Sequence, residues 1–113
     1  MRVAVVGSRT FEDYAKCKAT LDELNKKDLT IISGGAKGAD TLAYRYAKEY
    51  RLPIVVHKPD WDKWKKSAGY RRNVDIVNDC DMVIAFWDGN SKGTKHTIDI
   101  AREKGKEVKV VLV

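Results

Sequence analysis

The chain has 113 residues, 43% of them hydrophobic and 34% charged, which suits one domain around one modest core and excludes a disordered segment. Twenty-two basic against sixteen acidic side chains leave a formal charge of +6, which favours an anionic ligand, but the basic residues are spread out and do not by themselves indicate a nucleic-acid polymer. The two cysteines, Cys17 and Cys80, form no C-x-x-C and have no histidine at ligand spacing, so no metal site is expected and both read as reduced thiols in or near the core.

Met1 leads directly into a strand. With no signal peptide and no apolar run of membrane length, a cytoplasmic protein without membrane contact is expected. Arg2 to Val6 is rich in valine and ends at Gly7, which predicts a strand buried on both faces, as in parallel sheets. Gly7-Ser8-Arg9-Thr10 is the turn after it. Thr10 with Asp13 resembles a capping box, and Tyr14, Cys17, Leu21 and Leu24 then recur at helical spacing. Leu29 to Ser33 predicts the second strand. Ser33-Gly34-Gly35-Ala36-Lys37-Gly38-Ala39-Asp40 follows as a glycine-rich turn, and Thr41 to Tyr50 reads as a helix with Leu42, Ala43, Tyr46, Ala47 and Tyr50 on its apolar face.

Pro53 to His57 predicts the third strand, Lys58 to Ala68 a loop or short helical turn holding Trp61 and Trp64, and Gly69 to Asn78 a helix with Val74 and Val77 inward. Asp81 to Phe86 is the fourth strand, Trp87 to Thr94 a second polar turn, Thr94 to Lys104 the last helix with Gly105 as its stop, and Val108 to Val113 the fifth strand. Alternation of this kind predicts an α/β fold, a Rossmann-like three-layer sandwich with a mainly parallel five-stranded sheet in a single domain over residues 1–113. Ligands of such sheets bind beyond the carboxyl ends of the strands, where Gly7–Thr10, Ser33–Asp40 and Trp87–Thr94 are expected to meet.

The glycine turn is neither a Walker P-loop nor a G-x-G-x-x-G fingerprint. It reads as a phosphate cradle on a helix start, against the plainer reading of tight strand-to-helix packing. Asp40 suits a ribose or base, or the helix N-terminus itself. Ser8 and Arg9 suit a phosphate, Trp87 a base or the core, and Arg72 a ligand charge or a solvated face. Trp61 and Trp64 among lysines read as base-stacking residues or as a lid on the sheet. His57 and His96 show no partner in sequence, and no catalytic triad or carboxylate pair stands out.

Four blocks in order carry a family resemblance. They are Val6-Gly7-Ser8-Arg9 with Phe11, Ile32 through Asp40, Ala68-Gly69 with Arg72-Asn73, and Asp81 through Phe86-Trp87-Asp88-Gly89 to Ser91-Lys92-Gly93-Thr94. Together they resemble the YspA-type, YpsA-related branch of the SLOG superfamily. The resemblance implies a Rossmann-like fold and a site for nucleotides or nucleotide-derived signals such as ADP-ribose derivatives, in a sensing or sequestering role. No cofactor is expected, and analogy with paired relatives implies a homodimer. The related LOG phosphoribohydrolases cleave the N-glycosidic bond of nucleoside monophosphates using G-T-x-x-E and an upstream Arg-Lys. Here Gly93-Thr94 and Arg72 are present, which makes Arg72 the catalytic residue if the chain is an enzyme. Asn73, however, replaces the lysine and Thr97 falls where the glutamate should be. The related DprA proteins, which load protein on single-stranded DNA, share the Gly7 to Arg9 and Ser33 to Asp40 blocks, so nucleic acid is a weaker alternative partner, through Lys63 to Arg72 and the two tryptophans.

The expected site follows. Phosphate lies on the amides of Gly34, Gly35, Ala36, Gly38 and Ala39 and of Gly93 and Thr94. Ser8, Arg9 and Arg72 meet charge, Asp40 and Asp88 the sugar or base, and Trp87 an aromatic face. Gly7, Ser33, Asn73, Gly89 and Ser91 complete the ligand-binding set.

Overall fold

The computed structural model describes residues 1–113. Strands β1 (Arg2–Gly7), β2 (Thr30–Ser33), β3 (Ile54–Val56), β4 (Met82–Trp87) and β5 (Glu107–Leu112) form one sheet in the order β3-β2-β1-β4-β5, with every neighbouring pair parallel. Between them run α1 (Tyr14–Asp22), α2 (Ala39–Glu49), α4 (Ala68–Asp79) and α5 (Lys92–Glu103). A short α3 (Trp61–Trp64) passes through a 3₁₀ turn at Lys65–Ser67 into α4.

Side chains alternate across a strand, so each central strand feeds two cores. Val3 and Val5 of β1 with Ile84 and Phe86 of β4 join Cys17 and Leu21 of α1 and Ala43 and Tyr46 of α2 on one face. Ala4 and Val6 with Val83 and Ala85 join Ile76 and Val77 of α4 and Ile98 and Ala101 of α5 on the other. Burial on both sides is why these strands read as unbroken apolar runs. This is the Rossmann-like three-layer arrangement. No helix is long and apolar enough to cross a membrane, and no group of three or more metal-ligating side chains is assembled.

Several boundaries differ from expectation. The N-cap of α1 is Asp13, whose carboxylate accepts the Lys16 amide at 3.0 Å; Thr10 lies outside the helix, beside the site. Helix α2 starts at Ala39 because Gly38, with φ 77°, turns the chain there. In α4 the buried apolar residues are Ala68, Ile76 and Val77, with Val74 only half-buried. Trp87 is the last residue of β4, not the first of the turn. Cys17 and Cys80 are free and buried, and burial pushes the Cys17 thiol up to about 12.

The topology places the crevice. Strand β1 leads to α1 on one face, and its neighbour β4 leads to α5 on the other. The loops leaving these adjacent strands diverge and open a gap at their carboxyl ends.

Candidate functional site

A mostly polar hollow of about 400 Å³ lies in that gap. Gly7, Ser8, Arg9 and Thr10 line it from the β1 loop, Ala36 and Asp40 from the glycine turn, and Arg72 and Asn73 from α4. Asp88, Ser91, Gly93 and Thr94 close it from the β4 loop and the start of α5, while Val6, Ile76 and Thr97 form part of its lining. The expected ligand-binding set left out Val6, Thr10, Ile76 and Thr97, although Thr10 belongs to a turn expected at this rim. Ile76 lies one helical turn after Arg72, which was the available signal.

Close packing sets the walls. A β-carbon at Gly7 would lie 2.5 Å from the Phe86 carbonyl oxygen and 2.7 Å from Ala39 Cβ, so β1, β4 and α2 approach one another only through glycine here. The Ala39 amide donates to the Ser8 carbonyl at 3.4 Å and the Ser8 amide to that of Phe86 at 3.0 Å, which pins the β1 loop between its neighbours.

The glycine turn is occupied from within. Asp40, only 7% exposed, folds back so that its Oδ2 accepts the Ala36 amide at 3.0 Å. The Gly35 amide donates to Ser33 Oγ at 3.3 Å. Three of the turn amides expected to hold a phosphate therefore already have acceptors: Ala36 the Asp40 carboxylate, Gly35 the Ser33 hydroxyl and Ala39 the Ser8 carbonyl. Burial pushes the Asp40 carboxyl above its ordinary range, opposed by the Ala36 amide, Arg72, the Gly34 amide and Arg9. Ser33 and Gly34 are buried, and Gly34 and Gly35 border a neighbouring hollow beyond Arg72.

On the opposite wall, Asp88 Oδ1 accepts the amides of Asn90 and Ser91, each at 2.8 Å. Those bonds, Ser91 first, hold its carboxyl below the usual range, so it is ionised at neutral pH. Ser91 caps α5 by accepting the Thr94 amide at 3.4 Å and pairs with the Thr94 hydroxyl at 3.0 Å. The Lys92 and Gly93 amides, in the first turn of α5, have no acceptor within the helix. Gly89 reverses the chain at φ 85° outside the hollow. Trp87 does not enter the hollow: its ring packs on the α4–α5 core and its Nε1 donates to the Ser91 carbonyl at 3.0 Å. The indole buttresses the loop and does not face a ligand.

Arg72 is half-buried, donating through Nε to Asn73 Oδ1 at 3.1 Å and through Nη1 to the Gly34 carbonyl. Burial lowers its pKa, partly offset by Asp40, yet an arginine keeps its charge in any accessible range. Asn73, buried, donates to the Gly93 carbonyl at 3.3 Å and so ties α4 to the first turn of α5. Thr97 donates its hydroxyl to the same carbonyl at 3.1 Å. His96 lies 3.3 Å from Asn73 Nδ2, and burial lowers its pKa and favours the neutral ring. His57 has a partner that the sequence concealed: its Nε2 lies 2.7 Å from Asp79 Oδ2, away from the hollow.

Known proteins share this fold. The model of the YspA, cpYpsA-related SLOG family matches residues 1–64. The Gene 61 protein of Mycobacterium phage D29 is 34% identical over 113 residues, covering 92% of this chain and 90% of the phage protein. The solved structure of DNA processing protein A (DprA) from Streptococcus pneumoniae superposes with a TM-score of 0.80 at 25% identity, over 96% of this chain and 49% of that one. DprA from Helicobacter pylori, solved to describe its single-stranded DNA binding mode, superposes with a TM-score of 0.75 at 24% identity, over 97% of this chain and 64% of that one. The chain thus spans about half of one DprA and under two thirds of the other. With the family match over the first three strands and the glycine turn, and the phage relative matching along nearly its whole length, the chain belongs to the YspA, cpYpsA-related SLOG family.

Proposed function

We propose that the hollow binds a nucleotide or nucleotide-derived ligand, ADP-ribose-like or a nucleoside monophosphate, in a sensing or sequestering role. The observation that carries this reading is that Arg9 and Arg72 line the same polar hollow as the first turn of α5. Two guanidinium forks and a helix start with free amides favour a phosphate. A volume of about 400 Å³ is within the range of small-molecule sites. Because Asp40 already occupies the glycine turn, the phosphate is assigned to the α5 side, and the turn serves to position Arg72 and Asp40. Asp88, exposed and ionised, is placed to accept ribose hydroxyls.

Glycosidic cleavage is less well supported. Thr97 turns its hydroxyl back onto the helix, and both carboxylates that line the hollow, Asp40 and Asp88, are held by backbone amides. Neither is poised to stabilise an oxocarbenium-like centre.

Thermal-shift screening of the wild type and Arg9→Ala with AMP, ADP-ribose, NAD and cyclic nucleotides tests the proposal. At least one ligand is expected to raise the wild-type midpoint, and the rise is expected to vanish in Arg9→Ala. No rise with any of them contradicts the reading. Release of free adenine from AMP would restore the hydrolase.

A further inference from the structure

A second hollow of about 530 Å³ adjoins the first and shares Arg9, Ala36 and Arg72 with it. Its other cations are Lys37 and Lys58, and no acidic side chain lines it. Four positive charges gather around one concave surface, and Asp40, behind Arg72 and outside the lining, offsets only part of their mutual repulsion, so an anion among them would be favoured. Charge is not its only feature. Trp61 forms one side of it while remaining 53% exposed. An indole left this open in so small a domain forgoes the burial that usually accounts for tryptophan.

The position of Trp61 is set by its neighbours. It opens α3, whose N-cap Asp60 accepts the Lys63 amide at 3.1 Å. The indole Cη2 lies 3.7 Å from where a β-carbon at Gly69 would stand, so the ring rests beside the bare backbone at the start of α4. That support orients the ring without burying it. Pro59 stiffens the approach from β3 to α3 and lines the same hollow.

We infer that the ligand occupies both hollows and consists of two nucleosides joined through phosphate. The first nucleotide sits against α5, the linking phosphate passes between Arg9 and Arg72, and the second base stacks on Trp61 with Lys37 and Lys58 near its phosphate. Arg9 and Arg72 line both spaces, which is the placement a bridging phosphate requires. A stacking aromatic beside a basic groove recognises any base, because every base has a π-face. Such a ligand is either a free pyrophosphate-linked dinucleotide or two adjacent residues of a single strand, and the chemistry read by the two hollows is shared. The inference rests on the nucleotide reading of the first hollow and extends it.

The test is a set of equilibrium titrations of the wild type, Trp61→Ala and Lys58→Ala with AMP, diadenosine diphosphate and the 5′-phosphorylated dinucleotide pdApdA. Trp61 and Lys58 are exposed, so both variants are expected to fold, which circular dichroism checks. At least one dinucleotide is expected to bind the wild type about tenfold or more tightly than AMP, as one additional stacked base and phosphate imply. Each substitution should weaken that dinucleotide about fivefold or more and leave AMP within about twofold. Preference for diadenosine diphosphate identifies the free dinucleotide, and preference for pdApdA identifies the strand; either supports the inference. AMP binding as tightly as both dinucleotides, or Trp61→Ala leaving every affinity unchanged, overturns the inference and leaves the first hollow intact. No binding by any of the three overturns the nucleotide reading together with the inference.

Discussion

Gly38 and Gly93, both expected at the site, show how differently two glycines are used. At Gly38 φ is 77°, and a β-carbon there would lie 2.3 Å from the Ser8 carbonyl oxygen. Neither fault can be relieved by moving a flexible side chain. Gly38→Ala is expected to cost about 2 kcal/mol or more in urea denaturation, since the left-handed backbone and the clash act together. At Gly93 nothing lies within 4 Å and φ is not positive. There Gly93→Ala should stabilise the first turn of α5 by about 0.5–1 kcal/mol, the ordinary helix preference for alanine. Equal losses from both substitutions would contradict this account of the turn. Between them stands Asp40, whose carboxylate takes the Ala36 amide that a phosphate would otherwise hold.

Among the elements, α4 is fastened at its far end. Asp79, its last residue, accepts Arg2 Nη2 of β1 at 2.6 Å and faces His57, just after β3, at 2.7 Å. His57 first and Arg2 next hold the Asp79 carboxyl below the usual range. A carboxyl lowered in the folded state gives stability that is present above its unfolded value and lost as acid protonates it. Asp79→Asn should therefore lower the melting temperature at pH 6, with the gap to wild type closing as pH falls below about 4. A gap that widens in acid would contradict the fastening. Here the sequence was silent, because Arg2, His57 and Asp79 are brought together only by the sheet order.

Element types were legible where periodicity was strong: Arg2 to Val6 and Asp81 to Phe86 read as buried strands because both faces of the sheet are covered. Ends were less so, since Trp87 continues β4 by pairing with Leu112, which a polar turn following it does not announce. In the site, the meeting of three loops was readable from strand alternation. The inward fold of Asp40 and the outward packing of Trp87 were not, because each depends on one rotamer and its partners.

At the level of the molecule, one sheet order does most of the positioning. Placing β1 between β2 and β4 sets Arg9, the glycine turn and the start of α5 around a single gap, and α4 brings Arg72 in from the side. The formal charge of +6 favours approach of an anion from solution. If the phosphate is what the hollow recognises, a nucleoside lacking it should bind poorly. The most direct measurement is calorimetric titration of AMP and adenosine into the wild type and Arg9→Ala. The account predicts that AMP binds the wild type at least about tenfold more tightly than adenosine does, and that Arg9→Ala removes most of that difference, as loss of a charge-assisted hydrogen bond implies. Equal affinities for AMP and adenosine, or an AMP affinity untouched by Arg9→Ala, would contradict it.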